Sequence, residues 1–356
     1  MENVSEPATV SSTRSNPTWS VMIPAHNASI FIGDALESVL KQDPGPDEME
    51  IIVVDDASDD ELQRAVDAAA PGRVKIVRHD ENRGAVATFN QCIRHATGRY
   101  VHILHADDFV RPGFYERSQH GFSMGAAAVV CRTAFVDEHG SQIGTSDLEQ
   151  SIPGPWREAF RLLARSNRVW TPAVAVQRSV YESIGGFREA LEHTADWEFM
   201  ARVARRGSIW YEPDVLACYR MHTGSDTWSR ILDGRNITER FRCLAIISEL
   251  ADEADGGSAP LRRGLLTTID LATKTALELL GRREFDSFSQ QMRLAGRGLK
   301  ILSKGSHRGI RQAIWGERTP NPAHLAPAKI DPTWMVTFDP VGTPRPDSTY
   351  PIGGIP

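Results

Sequence analysis

From Trp19 onward, short β-branched runs alternate with stretches of helical periodicity. Trp19-Ser20-Val21-Met22-Ile23 reads as a strand and residues 29–41 as a helix. Glu50-Ile51-Ile52-Val53-Val54 is a continuous apolar run, of the kind buried on both faces of a parallel sheet. Residues 59–70 read as a helix stopped by Pro71-Gly72. Val74-Lys75-Ile76-Val77 is a third strand, residues 85–96 a helix closed by Gly98, and Tyr100-Val101-His102-Ile103-Leu104 a fourth strand. Alternation at this spacing predicts βαβ units and a parallel sheet, with ligands at the carboxyl ends of the strands.

After Pro112 the rhythm loosens. Residues 126–136 read as strand, 155–164 as helix, and 169–177 as an extended segment interrupted by Pro172. A helix is expected over 196–206, then strands near Ile209-Trp210-Tyr211 and over 215–220. From about Leu232 the pattern is helical only. Ile237, Phe241, Leu244 and Ile247 recur at helical spacing, as do Leu265, Ile269, Ala272, Ala276 and Leu279. The expected organisation is a disordered N-terminal tail (1–17), an α/β domain (18–230), a helical C-terminal subdomain (231–318) and a Pro-rich extended tail (319–356).

Composition narrows the class. A chain of 356 residues suits one large α/β domain plus an appendage, and 41% hydrophobic with 24% charged residues is ordinary for a soluble globular core. The net charge of −6 argues against a nucleic-acid binder. Cys92, Cys131, Cys218 and Cys243 form no CxxC pair, so reduced core thiols are expected. The N-terminal stretch lacks the basic and apolar regions of a signal peptide, and no apolar run is long enough to span a membrane. These features predict a cytoplasmic protein, in which the sequons at Asn3, Asn27 and Asn236 carry no glycan.

The candidate chemistry lies in carboxylates at strand ends. Asp55-Asp56 closes the second strand and Asp107-Asp108 follows the fourth. In an α/β sheet these positions can open onto one crevice, where a hard divalent cation takes carboxylate oxygens and shares its remaining sites with substrate phosphates. Either pair alone could equally be a turn or a helix cap, for instance Asp56 to Asp60 ahead of the next helix. Two pairs in the same register favour a shared site.

Those residues stand in a longer ordered series. Val21-Met22-Ile23-Pro24-Ala25-His26-Asn27, Val53-Val54-Asp55-Asp56-Ala57-Ser58-Asp59, Asn82-Arg83-Gly84, Ala96-Thr97-Gly98-Arg99-Tyr100 and Ala106-Asp107-Asp108 come first. Gly185-Gly186-Phe187, Asp196-Trp197-Glu198 and Arg220-Met221-His222 follow. The series resembles family 2 glycosyltransferases of the GT-A fold, over roughly residues 19–227, which implies an α/β, Rossmann-like mixed sheet, here with a C-terminal helical subdomain. The resemblance implies an inverting, metal-dependent enzyme that transfers a sugar from a nucleoside diphosphate to an acceptor hydroxyl. Pro24, Ala25, His26, Asn27, Asp55 and Asp56 would hold the nucleoside base, and Arg83 would belong to the same donor site. Asp107 would touch ribose or sugar. Asp108 would bind Mn²⁺ or Mg²⁺ on the diphosphate, His222 would reach the diphosphate or the metal, and Asp196 would be the general base. Uridine is the first expectation for the base, ahead of deoxythymidine and guanosine.

Two positions depart from the family pattern. His105 stands where an acidic residue often precedes the metal motif; imidazole can ligate Mn²⁺, and a satisfied structural histidine is the plainer expectation. Ala195 replaces the acidic neighbour of the base, which reduces like-charge elevation of the Asp196 pKa. For Asp196 the alternative role is a helix N-cap. Trp170, Trp197 and Trp210 are either stacking platforms or core. Arg293, Arg297, Lys300 and Lys304 share a helical face that is either simply solvated or in peripheral contact with an anionic lipid surface. The acceptor (saccharide, lipid-linked glycan or small natural product) has no motif. Membrane helices and the Gln-x-x-Arg-Trp motif of the family's processive synthases are absent from the sequence, which favours single addition. A nucleotidyltransferase and a catalytically silent nucleotide-sugar-binding module are the rival classes.

Overall fold

The first seven elements form in the order the pattern predicts: β1 (Trp19–Ala25), α1 (Ile32–Leu40), β2 (Met49–Asp55), α2 (Leu62–Ala69), β3 (Lys75–Arg78), α3 (Ala85–His95) and β4 (Tyr100–Ile103). The computed structural model of the chain describes residues 16–251, 259–316 and 325–330. β1 pairs in parallel with β2 and β4, and β2 with β3, giving the order β3-β2-β1-β4. Because successive strand residues point to opposite faces, the apolar runs feed two cores. Val21, Ile23, Ile51 and Val53 pack against α1 and α2 on one side, and Met22, Ile52, Val54 and Val101 against α3 on the other.

The chain continues through β5 (Phe109–Val110), α4 (Phe114–Ser123), β6 (Ala128–Val136), β7 (Gln142–Thr145), β8 (Gly154–Pro155) and α5 (Ala159–Leu163). A 3₁₀ turn at Thr171–Ala173 leads into β9 (Val174–Gln177), followed by α6 (Arg178–Ile184), α7 (Ala195–Arg206) and β10 (Ile209–Arg220). β9 enters antiparallel between β4 and β6, and β5 antiparallel beside β10. The sheet is therefore mixed, as the GT-A resemblance implies: β1 to β4 form its parallel half, and β6 and β10 pair in parallel beyond the antiparallel β9. The two strands expected over 209–220 are one, with register shifts between Glu212 and Ala217.

The helical end comprises α8 (Asp226–Asp233), α9 (Arg235–Ile247), α10 (Ala259–Gly281), α11 (Phe285–Leu302) and α12 (His307–Trp315). Ile237, Phe241, Leu244 and Ile247 of α9 are fully buried and join the same core as α3 and α7. No helix among the described residues is long and apolar enough to cross a membrane. All four cysteines are free and buried. The expected tails at 1–17 and 319–356 lie outside the described residues, apart from 16–17 and 325–330. The latter run along the Gly185-Gly186-Phe187 turn, where the Gly186 N–H donates to the Ala328 carbonyl at 2.8 Å.

Candidate active site

Parallel pairing brings the carboxyl ends of β1, β2, β3 and β4 to one edge of the sheet. At that edge Asp55 accepts hydrogen bonds from the N–H and Oγ of Ser58, at 2.9 and 2.6 Å, and forms an ion pair with Arg78. Asp56 binds His79 Nδ1 at 2.8 Å and accepts from the backbone N–H groups of Arg83 and Gly84, both at 2.9 Å. Burial pushes the Asp56 carboxyl up, but these donors outweigh it and hold the pKa below the usual carboxylate value. The pair expected to face a nucleoside base thus mainly ties the end of β2 to the turn before α3. Asp56 Oδ2 accepts only the Gly84 bond and keeps a lone pair. Neither Asp56 nor Asp60 caps α2, and Asp60 instead accepts from the Ser29 N–H at 2.8 Å.

Pro24 and Ala25 are buried, whereas His26 and Asn27 are exposed at the rim. His26 Nδ1 lies 2.8 Å from the Asp56 carbonyl oxygen, and its Nε2 lies 3.1 and 3.2 Å from the amide nitrogens of Asn82 and Asn27. The Arg83 side chain is exposed beside them.

A second cluster follows β4. The ligand atoms of His105, Asp107 and Asp108 lie within 4.8 Å of one another. Asp108 is buried, and its Oδ1 accepts from the Arg220 N–H at 2.8 Å. Its Oδ2 is buried with no hydrogen-bond partner; His105 Nδ1 stands 3.5 Å away, beyond a good hydrogen bond. Burial, and then the Asp107 charge, push the Asp108 carboxyl up to about 6. His105 stacks on Phe89 with ring centroids 5.0 Å apart and buries Nε2 without a partner. Burial lowers the His105 pKa, but Asp108, Asp107 and Asp196 outweigh it and raise it. His105 is therefore not the satisfied structural histidine expected from sequence. Asp107 faces His222, whose Nε2 is 3.1 Å from its Oδ2. Burial raises the Asp107 pKa, but His222 and His105 bring it below the ordinary value.

An orphaned carboxylate oxygen and an orphaned imidazole nitrogen, beside further carboxylate and imidazole groups, are a donor set that fits Mn²⁺ or Mg²⁺. Arg220, given no role by sequence, organises this cluster. Its buried guanidinium donates to the Asp107 carbonyl at 2.8 Å, the Glu138 carbonyl at 2.9 Å and Asp34 at 2.7 Å, packed against Phe31 and Phe109.

Asp196 lies in the first turn of α7, whose N-cap is Thr194, so the N-cap alternative for Asp196 is ruled out. Its Oδ1 accepts from the Trp197 N–H at 2.7 Å. It is half-buried beside an apolar pocket of about 20 Å³, room for one water, with walls that include Ile103, Val169, Tyr181 and Phe187. Burial raises its pKa; the Trp197 N–H, His105 and Asn167 pull it partly back, and the one like charge, Glu239, comes last among the causes. Burial first, and then Asp108, Asp107 and Asp196 together, raise the pKa of Tyr219. Carboxylates nearly ninety positions apart thus share one electrostatic neighbourhood.

Several supporting residues escaped sequence analysis. Glu239 of α9 accepts from the N–H groups of His193 and Thr194 ahead of α7. Fully buried Glu198 is paired with Arg188 and Arg202, both at 2.8 Å, and Arg202 donates to the Gly186 carbonyl at 2.6 Å. Asn90 bonds the backbone of Phe187 in both directions. Trp197 and Trp210 are core, which leaves Trp170, half-buried against Phe135, as the more open of the three indoles.

The family model for glycosyl transferase family 2 matches residues 20–185. The succinoglycan biosynthesis protein ExoU of Rhizobium meliloti (strain 1021) is 32% identical, over 66% of this chain and 71% of its own length. The chain belongs to glycosyltransferase family 2. A glycosyltransferase of Haemophilus influenzae is 25% identical, over 60% of this chain and 68% of its own. Among solved structures, S. aureus TarS 1-349 in complex with UDP-GlcNAc gives a TM-score of 0.61 at 18% identity, covering 83% of this chain and 90% of that one. A Pyrobaculum calidifontis mannosyltransferase, solved with GDP-Man and Mn²⁺, gives 0.51 at 17% identity, covering 88% and 92%. The mixed sheet with its C-terminal helices is the GT-A fold of this glycosyltransferase.

Proposed function

We propose that this glycosyltransferase moves a sugar from a nucleoside diphosphate to an acceptor hydroxyl with inversion, Asp196 serving as general base. The observation that carries the reading is the pair of buried, unpartnered ligand atoms, Asp108 Oδ2 and His105 Nε2, within electrostatic reach of Asp196. The nucleotide sugars bound by the structural neighbours support this donor class. Uridine remains the first expectation for the base, bordered by His26, Asn27, Arg83 and the free lone pair of Asp56.

Displacement at an anomeric carbon passes through an oxocarbenium-like state while negative charge gathers on the leaving diphosphate. A divalent cation held by Asp108, with Asp107, His105 and His222 around it, would neutralise that charge. Asp196 accepts the proton of the incoming hydroxyl from the other side of the sugar, which inverts the anomeric centre. A carboxylate whose pKa is raised by burial is a stronger base than a solvated one and suits that task.

Asp196→Asn should lower transfer by about 10²–10⁴-fold, the usual range for general-base catalysis. Calorimetric binding of UDP with Mn²⁺ should persist in that variant, and unimpaired turnover would remove Asp196 from the mechanism. Asp108→Ala should behave differently: its UDP affinity should fall below wild type in Mn²⁺ and match wild type in chelator. Equal affinities in both media would place the cation elsewhere.

A further inference from the structure

Twelve large hydrophobic side chains are exposed among the described residues, and six belong to the hairpin of α10 and α11. Leu266, Leu277 and Leu280 lie on one line of α10, and Phe285, Met292 and Leu299 recur every second turn of α11. The helices are joined by three residues and run antiparallel. They approach closely at Gly298, where a Cβ would stand 2.6 Å from Ile269. The two apolar lines therefore flank one seam, on its solvent side. Arg293 and Lys300 lie along the outer edge of α11, one position on from Met292 and Leu299, with Asp286 at the start of the same line beside Phe285.

Charge is segregated in the same way. Residues 259–305 hold nine Arg and Lys against four Asp and Glu, a net +5 in a chain of net −6, so the remainder is −11. A helix surface that joins an apolar strip to a basic border matches the interfacial layer of a membrane, where apolar side chains enter the headgroup boundary and cations meet anionic lipid. A symmetric dimer through this surface would bring two segments of net +5 together, because a two-fold interface presents the same patch from both copies.

We propose that the α10–α11 hairpin docks this glycosyltransferase on an anionic bilayer surface without crossing it. The assignment is independent of the donor and base proposed above. Flotation of the full chain with vesicles tests it. The protein should float with phosphatidylcholine vesicles containing phosphatidylglycerol, remain behind with phosphatidylcholine alone, and be released by salt. Leu277→Glu/Met292→Glu, and separately Arg293→Glu/Lys300→Glu, should each lower the bound fraction at least about tenfold. Unchanged thermal midpoints and UDP binding would show that both variants fold. Failure of the wild type to float at low salt, or flotation of both variants like wild type, overturns the proposal. So does a wild-type dimer that the Leu277→Glu/Met292→Glu variant dissociates in sedimentation, since a second copy would then be the occupant.

Discussion

Ala57 holds φ at 56°, in the left-handed region where a side chain crowds the neighbouring carbonyl. It is kept there because Ser58 on one side and Asp56 on the other are both fixed by hydrogen bonds. Ala57→Gly should relieve about 1 kcal/mol of that strain, less the extra entropy that glycine gives the unfolded chain. The expected result is a higher urea midpoint at unchanged slope, and an equal or lower midpoint would contradict it. Acidic residues just past a buried strand were legible from sequence, but their tasks were not. A turn and a cation site both call for carboxylates at that place, and only the donors around each one separate them. Asp55 and Asp56 are surrounded by N–H, hydroxyl and guanidinium donors, whereas Asp108 keeps one oxygen bare.

Among elements, α7 carries Asp196 and depends on a neighbour distant in sequence. Glu239 of α9 takes the two backbone N–H groups that precede the helix, and also the Thr194 hydroxyl at 3.1 Å. Glu239→Ala would leave these buried donors unsatisfied, at a cost of about 1–3 kcal/mol. It should also loosen Asp196, so that turnover falls while UDP–Mn²⁺ affinity holds; a drop in stability with unaltered turnover would confine Glu239 to a structural role. Such a contact cannot be read from periodicity, because it joins residues 45 positions apart. Local patterns explain what was legible: β1, β2 and β4 are short, mostly apolar runs buried at nearly every position, and α9 repeats its buried face at helical spacing. α4 was missed because its buried face includes Ser118 and Gly121 as well as aromatics, and Gly121 is small to admit Val129 and Trp210. The antiparallel entry of β9 beside β4 has no local signal either, since it is set by the return of the chain through the 3₁₀ turn.

For the whole molecule, one contribution to acid stability comes from a histidine that takes no part in the proposed chemistry. His102 is fully buried in β4, with Nε2 3.0 Å from the Pro172 carbonyl oxygen and Nδ1 3.1 Å from the Tyr115 hydroxyl. A neutral ring that donates from Nε2 and accepts at Nδ1 satisfies both contacts. Burial, only partly opposed by the Pro172 carbonyl, lowers its pKa to about 3. In the unfolded chain the same ring titrates near 6.5, so between these values the unfolded state holds a proton that the folded state lacks. Stability then rises with pH across this window, and it is lost as pH falls below about 6.5, at up to about 1.4 kcal/mol per pH unit. A glutamine at 102 can donate to the Pro172 carbonyl and accept from Tyr115 without titrating. Urea midpoints of wild type and His102→Gln between about pH 8 and pH 4 should therefore converge or cross as acid is added, because carboxylate titrations elsewhere are common to both. Two curves running parallel through that range would mean that His102 takes up its proton alike in the folded and unfolded states.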